Sequence, residues 1–292
     1  MSKQKPLFAF FGTPRFGVLV LDALEAHGLL PALVITAQDK PQGRGLALTP
    51  SPVKAWAQAR GVDVLTPGSL KDEASAAELA NTEWGLFVVA AYNKLIPQNI
   101  LDIPRHGALN VHPSLLPKFR GPSPALSAIL EDERVTGVTV MQMTEKMDAG
   151  PIVAQARVEL EGAAWPPKGA MFEDLLATEG GKLLAEVMPL WTQGEITPEP
   201  QDESKATYTR KFTDKDALID LAGEPRTQLL KIRAFDHGPR AYFLDGPSTT
   251  LGASKRVIIT EAEIKDGKLE ILKVIPEGKK EVDFKNYRGS RG

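Results

Sequence analysis

Cysteine is absent from this chain of 292 residues. Disulfide bonds, thiolate metal sites and a thiol nucleophile are therefore excluded. The four histidines include no His-x-x-x-His pair, and we predict that the protein uses no metal. The segment Gly12-Thr13-Pro14 lacks both the Lys-Ser/Thr of a phosphate-binding loop and the three glycines of a dinucleotide-binding turn. We interpret it as a tight turn.

Long hydrophobic runs are also lacking. The apolar segment from Leu7 to Phe11 is too short for a signal peptide or a membrane span, and we expect a cytoplasmic protein. Hydrophobic residues nevertheless make up 42% of the sequence. A chain of this length and composition can bury one large core and a smaller second one, which favours two domains.

The charge is distributed unevenly. Residues 203–292 contain 18 lysines and arginines against 14 acidic residues, whereas residues 1–202 contain 17 against 23. A basic surplus in one part of a chain is typical of a domain that contacts nucleic-acid phosphates. The alternative is an ordinary solvated surface, since four excess charges over 90 residues are a modest surplus.

Apolar runs and helical patterns alternate in the first part of the sequence. Buried strands are predicted at 7–11, 32–36, 86–91 and 107–111, with helices at 16–26, 52–60 and 72–80 between them. This alternation is typical of an α/β fold with a parallel sheet. A helix at 122–131, a strand at 137–143 and a long helix at 168–193 complete the predicted first domain, residues 1–195.

A second domain is predicted at residues 211–292. It follows the segment 194–212, which is rich in polar residues and proline and has no apolar periodicity, as expected of a linker. A helical pattern at 225–235 precedes four short β-like runs, at 241–244, 256–262, 268–274 and 282–284. Asp266-Gly267 is a strong hairpin signal between two of these runs. Several short strands in so few residues are typical of a small β-barrel.

The segment Asn110-Val111-His112 and the later Asp148 are candidate catalytic residues. Side chains alternate along a strand, so Asn110 and His112 lie on one side while Val111 points into the core. Acyl transfer needs a donor to the oxyanion of its tetrahedral intermediate and a group that moves a proton from the nucleophile, and a carboxylate can orient an imidazole for that task. The alternatives are structural: a hydrogen-bonded strand-end histidine, a turn asparagine and a loop aspartate.

These residues also carry a family resemblance. Asn-x-His followed by Ser-Leu-Leu-Pro, Arg-Gly and a later Asp-x-Gly resembles the folate-dependent formyltransferases. Further segments are similar to the methionyl-tRNA formyltransferases of that family: Phe11–Gly17, Asp39–Pro41, Gly43–Gly45, Pro50–Lys54, Thr136–Met143 and Ile232–Phe235. The resemblance spans nearly the whole chain. It implies a Rossmann-like, mostly parallel N-terminal formyltransferase domain and a smaller OB-like C-terminal domain that binds tRNA.

The resemblance implies roles for individual residues. Asn110, His112 and Asp148 would be catalytic. Ser114, Leu115, Leu116, Pro117 and Tyr92 would line the pocket for 10-formyltetrahydrofolate, and Gly43, Arg44, Gly45 and Lys54 would contact tRNA. Two segments depart from the family pattern: Asn93, where glycine is common, and Pro122-Ser123-Pro124, where small residues are more usual.

The implied reaction transfers the formyl group of 10-formyltetrahydrofolate to the α-amino group of initiator methionyl-tRNA. We expect a monomer whose partners are the tRNA and the folate, with no membrane partner. A sugar-nucleotide N-formyltransferase would use the same three residues on an amino sugar, and a formyltetrahydrofolate hydrolase would use them with water as the acceptor. A third alternative is an RNA-binding protein that keeps the fold without the activity, although the intact Asn, His and Asp argue against it.

Overall fold

The structure is a computed structural model that describes residues 6–42, 46–160, 165–246 and 255–289. The chain divides into two compact units. The first comprises Met1–Gly121, Thr136–Val158 and Glu173–Tyr208, and the second comprises Pro122–Val135, Glu159–Phe172 and Thr209–Gly292. The domain assignment made from the sequence, 1–195 and 211–292, stays a prediction.

The helices and strands alternate along much of the chain. The strands are β1 (Phe8–Gly12), β2 (Leu33–Ile35), β3 (Lys40–Gln42), β4 (Ala47–Thr49), β5 (Asp63–Leu65), β6 (Leu86–Ala90), β7 (Ala108–His112), β8 (Thr136–Gln142), β9 (Ile152–Val158), β10 (Tyr242–Asp245), β11 (Lys255–Lys265), β12 (Lys268–Pro276) and β13 (Val282–Asp283). The helices are α1 (Arg15–Ala26), α2 (Pro52–Ala59), α3 (Glu73–Ala80), α4 (Gln98–Leu101), α5 (Pro124–Leu130), α6 (Gly169–Thr192), α7 (Pro225–Ala234) and α8 (Phe284–Gly289). A short 3₁₀ helix spans Glu203–Lys205.

The first unit is built on a sheet whose strand order is β5-β2-β1-β6-β7-β8-β9. The first five strands in this order, from β5 at the edge to β7, run parallel to one another. The last two strands, β8 and β9, each pair antiparallel with the strand before them. The predicted fold class, a mostly parallel α/β sheet, is confirmed. The order reverses between β1 and β6, and in open α/β sheets ligands bind outside the carboxyl ends of the strands at such a point.

Both faces of the central strands are buried, which explains their unbroken apolar sequences. Phe8 and Phe10 of β1 belong to one hydrophobic core, while Phe11 belongs to a second core on the opposite face. Gly180 on α6 lets that helix approach the sheet closely. A Cβ at Gly180 would lie 2.4 Å from Cγ1 of Val111, so only glycine leaves room for β7 to keep its position there.

The second unit contains an antiparallel sheet of order β10-β11-β12-β13. Its apolar core includes Phe235 directly after α7, Phe243 of β10, Ile259 of β11 and Val274 of β12. Residues 266 and 267 join β11 to β12 with φ angles of 49° and 72°, as a tight hairpin with two left-handed residues requires. The predicted small β domain is therefore confirmed.

Two global features concern membranes and metals. Among the residues that the structure describes, no helix combines the length and apolar character needed to cross a membrane. In the same part of the chain, no three His, Asp or Glu side chains are grouped so that they could hold a metal ion.

Candidate active site

Asn110 and His112 lie on β7, where the parallel part of the sheet meets its antiparallel part. Asn110 is opposite Met141 of β8, and His112 is opposite Thr139. Val111 between them is buried in the core, so the two polar side chains share the other face of the strand. His112 is buried and Asn110 is half-buried.

The two ring nitrogens of His112 have different surroundings. Nε2 lies 2.9 Å from the backbone oxygen of Phe119. Because a carbonyl oxygen only accepts hydrogen bonds, Nε2 carries the proton and donates it. The other nitrogen, Nδ1, faces Asp148 at 3.8 Å from Oδ1. The Phe119 carbonyl thus leaves Nδ1 as the nitrogen that is free to exchange a proton.

The second carboxylate oxygen of Asp148, Oδ2, is fixed by a backbone hydrogen bond. The backbone N–H of Gly121 donates to Oδ2 of Asp148 at 2.8 Å. Asp148 itself has φ of 51°, a left-handed conformation that aspartate tolerates better than most residues. The separation of 3.8 Å between Nδ1 and Oδ1 exceeds the length of a direct hydrogen bond. A substrate atom to one side of the pair can therefore lie within hydrogen-bond distance of both.

The loop after β7 is fixed by Thr139 and Gln155. The Thr139 hydroxyl donates to the Ser114 carbonyl at 2.7 Å and accepts from the Leu116 N–H at 3.1 Å and the Gln155 amide at 2.8 Å. The Ser114 hydroxyl donates to the Lys118 carbonyl. Ser114 and Leu116 are thereby buried in the loop itself, while Leu115 and Pro117 keep part of their surface exposed.

Tyr92 follows β6, beside the point where the strand order reverses. Its ring packs edge-on against Phe11 of β1, with the centroids 5.6 Å apart. The hydroxyl oxygen is buried and has no hydrogen-bond partner among the described residues. Burial raises the pKa of Tyr92 to about 12, so the hydroxyl stays protonated at neutral pH. A buried donor without a partner fits a ligand that supplies a polar atom.

Two comparisons with known proteins agree with this geometry. The family model for formyl transferase matches residues 4–163. The methionyl-tRNA formyltransferase of Bacillus licheniformis is 36% identical over 95% of this chain and 93% of its own length. The chain belongs to the formyl transferase family. The prediction made from Asn-x-His and the later Asp-x-Gly is therefore confirmed at the level of the family.

Solved structures of other proteins share the fold. A methionyl-tRNA formyltransferase from Clostridium thermocellum superposes with a TM-score of 0.58 at 16% identity, covering 92% of this chain and 98% of that one. HypX from Aquifex aeolicus in complex with tetrahydrofolic acid gives a TM-score of 0.60 at 17% identity. That likeness covers 98% of this chain but 47% of HypX, so this formyl transferase spans about half the length of HypX.

The predicted tRNA contacts fall mostly outside the described residues of this formyl transferase. Gly43, Arg44 and Gly45 all lie there, and their role stays a prediction. The flanking strands β3 and β4 pair as an antiparallel ribbon. Lys54 lies on α2, where its ammonium group donates to both carboxylate oxygens of Asp39 at 2.8 and 2.9 Å.

A buried arginine near the site belongs to the Arg-Gly part of the sequence motif, but no role of its own was predicted for it. Arg120 has a side chain that is 1% exposed, and its guanidinium binds the carboxylate of Glu203 through two hydrogen bonds of 2.8 and 2.9 Å. It also donates to the side-chain oxygen of Gln201. A buried arginine requires such partners, but the polar segment 194–212 carries no sequence signal for them because each contact involves a single side chain.

Proposed function

We propose that this formyl transferase moves the formyl group of 10-formyltetrahydrofolate to the α-amino group of methionyl-tRNA. The observation that carries the proposal is the arrangement of Asn110, His112 and Asp148, in which Nδ1 of His112 faces the carboxylate. The family membership and the name of the Bacillus licheniformis relative support the choice of substrates. We expect a cytoplasmic protein, because the reaction serves translation initiation, and we keep the expectation of a monomer.

The reaction proceeds by direct transfer. The uncharged amine attacks the formyl carbon, and a tetrahedral intermediate with a negatively charged oxygen forms. The Asn110 amide donates a hydrogen bond to that oxygen. His112 donates a second one from Nδ1 once that nitrogen has taken the proton of the amine. The Phe119 carbonyl fixes the ring, so that Nδ1 is the nitrogen that meets the reacting atoms.

The proton balance follows from the bonds that form and break. The amine loses one proton when its bond to the formyl carbon forms, and the folate nitrogen gains one when its bond to that carbon breaks. His112 and Asp148 lie close enough to move the proton between these two atoms. No covalent enzyme intermediate and no proton from solvent are required.

The folate co-substrate lies beside the loop after β7 and the end of β6. Leu115 and Pro117 retain exposed apolar surface for its ring system, while Tyr92 offers the buried hydroxyl that lacks a partner. The protonated hydroxyl can donate to a polar atom of the folate. The described residues at this edge of the sheet therefore fit the co-substrate.

Phenylalanine at Tyr92 is expected to raise KM for 10-formyltetrahydrofolate by about tenfold, the equivalent of one hydrogen bond, with little change in kcat. Without folate the same variant should unfold at a slightly higher temperature, because it removes a buried hydroxyl that has no partner. Steady-state kinetics and thermal unfolding test the two effects. Tyr242→Phe, a change in the second unit, is the matched control. An unchanged KM would exclude Tyr92 from the folate site.

The tRNA is held by other parts of the chain. Residues 203–292 carry the basic surplus, and Arg44 stands in the sequence between two glycines, residues that let a backbone approach a phosphate closely. Lys54 contributes from the same part of the sequence as that loop, through an ammonium group that also binds Asp39. The affinity for tRNA should therefore fall steeply with salt.

To test the proposed function, purified protein is given 10-formyltetrahydrofolate with methionyl-tRNA, with an amino-sugar nucleotide, or with water as the only acceptor. Formyl-methionyl-tRNA is the expected product. Formylation of an amino-sugar nucleotide alone would make the chain a sugar N-formyltransferase, and release of free formate with no acceptor product would make it a hydrolase. Binding of tRNA without any turnover would support the RNA-binding alternative.

A further inference from the structure

The side chain of Gln201 bridges the two loops that carry the site. Its Nε2 donates to the backbone oxygens of Asp148 at 2.9 Å and Gly150 at 2.7 Å. Its Oε1 accepts from Nε and Nη2 of Arg120 at 3.0 and 2.8 Å. Carbonyls only accept and a guanidinium only donates, so these four partners determine which end of the amide is nitrogen. The hydrogen-bonding capacity of the Gln201 amide is fully used.

One end of this bridge fixes the backbone of Asp148. The left-handed φ of 51° at Asp148 is rarely adopted without support from neighbouring contacts. Two residues after Asp148, a Cβ at Gly150 would lie 1.8 Å from the backbone oxygen of Gln142, so the backbone there already packs closely against the end of β8. Gln201 adds hydrogen bonds to two backbone oxygens of the same turn. Loss of its two donated hydrogen bonds would release the backbone that carries the Asp148 carboxylate.

The other end leads to the loop that fixes His112. Arg120 directly follows Phe119, whose carbonyl binds Nε2 of His112. The backbone of both residues is anchored to Thr207, with Phe119 N–H donating to its hydroxyl and Arg120 N–H donating to its carbonyl, each at 2.8 Å. The Glu203 carboxylate holds the pKa of Arg120 above its usual value by accepting two hydrogen bonds, so the guanidinium stays charged.

We propose that Gln201 is a positioning residue that sets the separation between Nδ1 of His112 and the carboxylate of Asp148. It does so through a continuous chain of hydrogen bonds, from the Asp148 backbone through Gln201 and Arg120 to the loop of Phe119. The expected effect on kcat rests on the proposed function. The effect of Gln201 on the distance between His112 and Asp148 does not depend on which substrates the protein uses. Misplacement of catalytic groups by about 1 Å can lower a rate by about 10²-fold.

Two substitutions separate positioning of Asp148 from simple support of Arg120. Gln201→Met keeps the volume and removes every hydrogen bond. Gln201→Glu keeps an acceptor for Arg120 but places a carboxylate against two carbonyl oxygens. We expect both variants to lower kcat by about 10- to 100-fold. The KM for 10-formyltetrahydrofolate and the KM for methionyl-tRNA should each change by less than about threefold. If Gln201 only supplied a hydrogen-bond acceptor to Arg120, Gln201→Glu would keep the unmutated kcat.

The control is Glu199→Gln, a change in an exposed side chain of the same segment whose backbone pairs with Ile152. All rates are measured at a temperature at which circular dichroism shows each variant folded. NMR titration of the His112 ring, assigned with His112→Ala, adds a readout that needs no reaction. A changed titration in Gln201→Met supports positioning whatever the substrate proves to be. An unchanged titration together with unchanged kcat would overturn the role of Gln201 and leave the proposed function intact.

Discussion

Alanine at His112 is expected to lower kcat for formyl transfer by about 10³-fold, a typical loss when a proton-transfer group that also stabilises an oxyanion is removed. The KM for the folate should change little, since the ring contacts the reacting atoms rather than the cofactor's ring system. The loss should appear in single-turnover experiments as well, because it concerns the chemical step. A rate within tenfold of the unmutated protein would remove His112 from the mechanism.

The stability of this variant requires a separate measurement. His112 is buried, and its removal leaves the Phe119 carbonyl without a donor, a loss of about 1–3 kcal/mol in unfolding free energy. Kinetics are therefore compared at a temperature well below the unfolding transition of both proteins. His27→Ala is the matched control, since the side chain of this exposed histidine at the end of α1 makes a single hydrogen bond among the described residues, to the Ala23 carbonyl. It should retain full activity.

Asparagine at Asp148 is expected to lower kcat by about 10²- to 10³-fold, because the neutral amide cannot stabilise the positive charge that the His112 ring acquires. The substitution keeps the shape of the side chain and leaves an oxygen that can accept from Gly121 N–H. Asparagine also tolerates the left-handed backbone at this position. The unfolding temperature should therefore stay close to that of the unmutated protein.

The measurement is kcat as a function of pH for the unmutated protein and Asp148→Asn. A loss that is confined to kcat, with a changed pH dependence, supports the role of the carboxylate. The control is Asp266→Asn, since Asp266 is also a left-handed aspartate, with φ of 49°, and lies in the hairpin between β11 and β12. Equal losses in both variants would contradict a specific role for Asp148.

The sequence predicted the elements whose pattern is local. The predicted strand at 107–111 and the observed β7 differ by one residue at each end. The hairpin turn predicted at Asp266-Gly267 is found at these two residues, between β11 and β12. Elements with weak patterns were not predicted. β5 has only three residues, of which Asp63 is exposed and the other two are half-buried. A run this short carries too little periodicity to distinguish a strand from a loop. β9 was missed although Gln155 and Arg157 alternate with apolar residues, a period of two that is typical of a half-buried strand.

The division of the chain illustrates the same limit. Residues 122–135 precede β8 in sequence but belong to the compact unit that contains the C-terminal β sheet. Asp132 binds Arg226 of α7 through two hydrogen bonds, across 94 positions of sequence. A composition change along the chain does not reveal which unit an earlier helix joins. Such contacts depend on how distant segments fold back on one another.

The sequence by itself determined the family, the alternating α/β pattern and the shared face of Asn110 and His112, because motif spacing and a side-chain period of two are properties of neighbouring residues. Only the tertiary structure decided which nitrogen of His112 is free, since the Phe119 carbonyl must fold back to bind the other. It alone brought Gln201 to Arg120, across 81 positions of sequence, and to the Asp148 backbone. Hydrogen bonds between loops form only when the sheet places those loops at one edge.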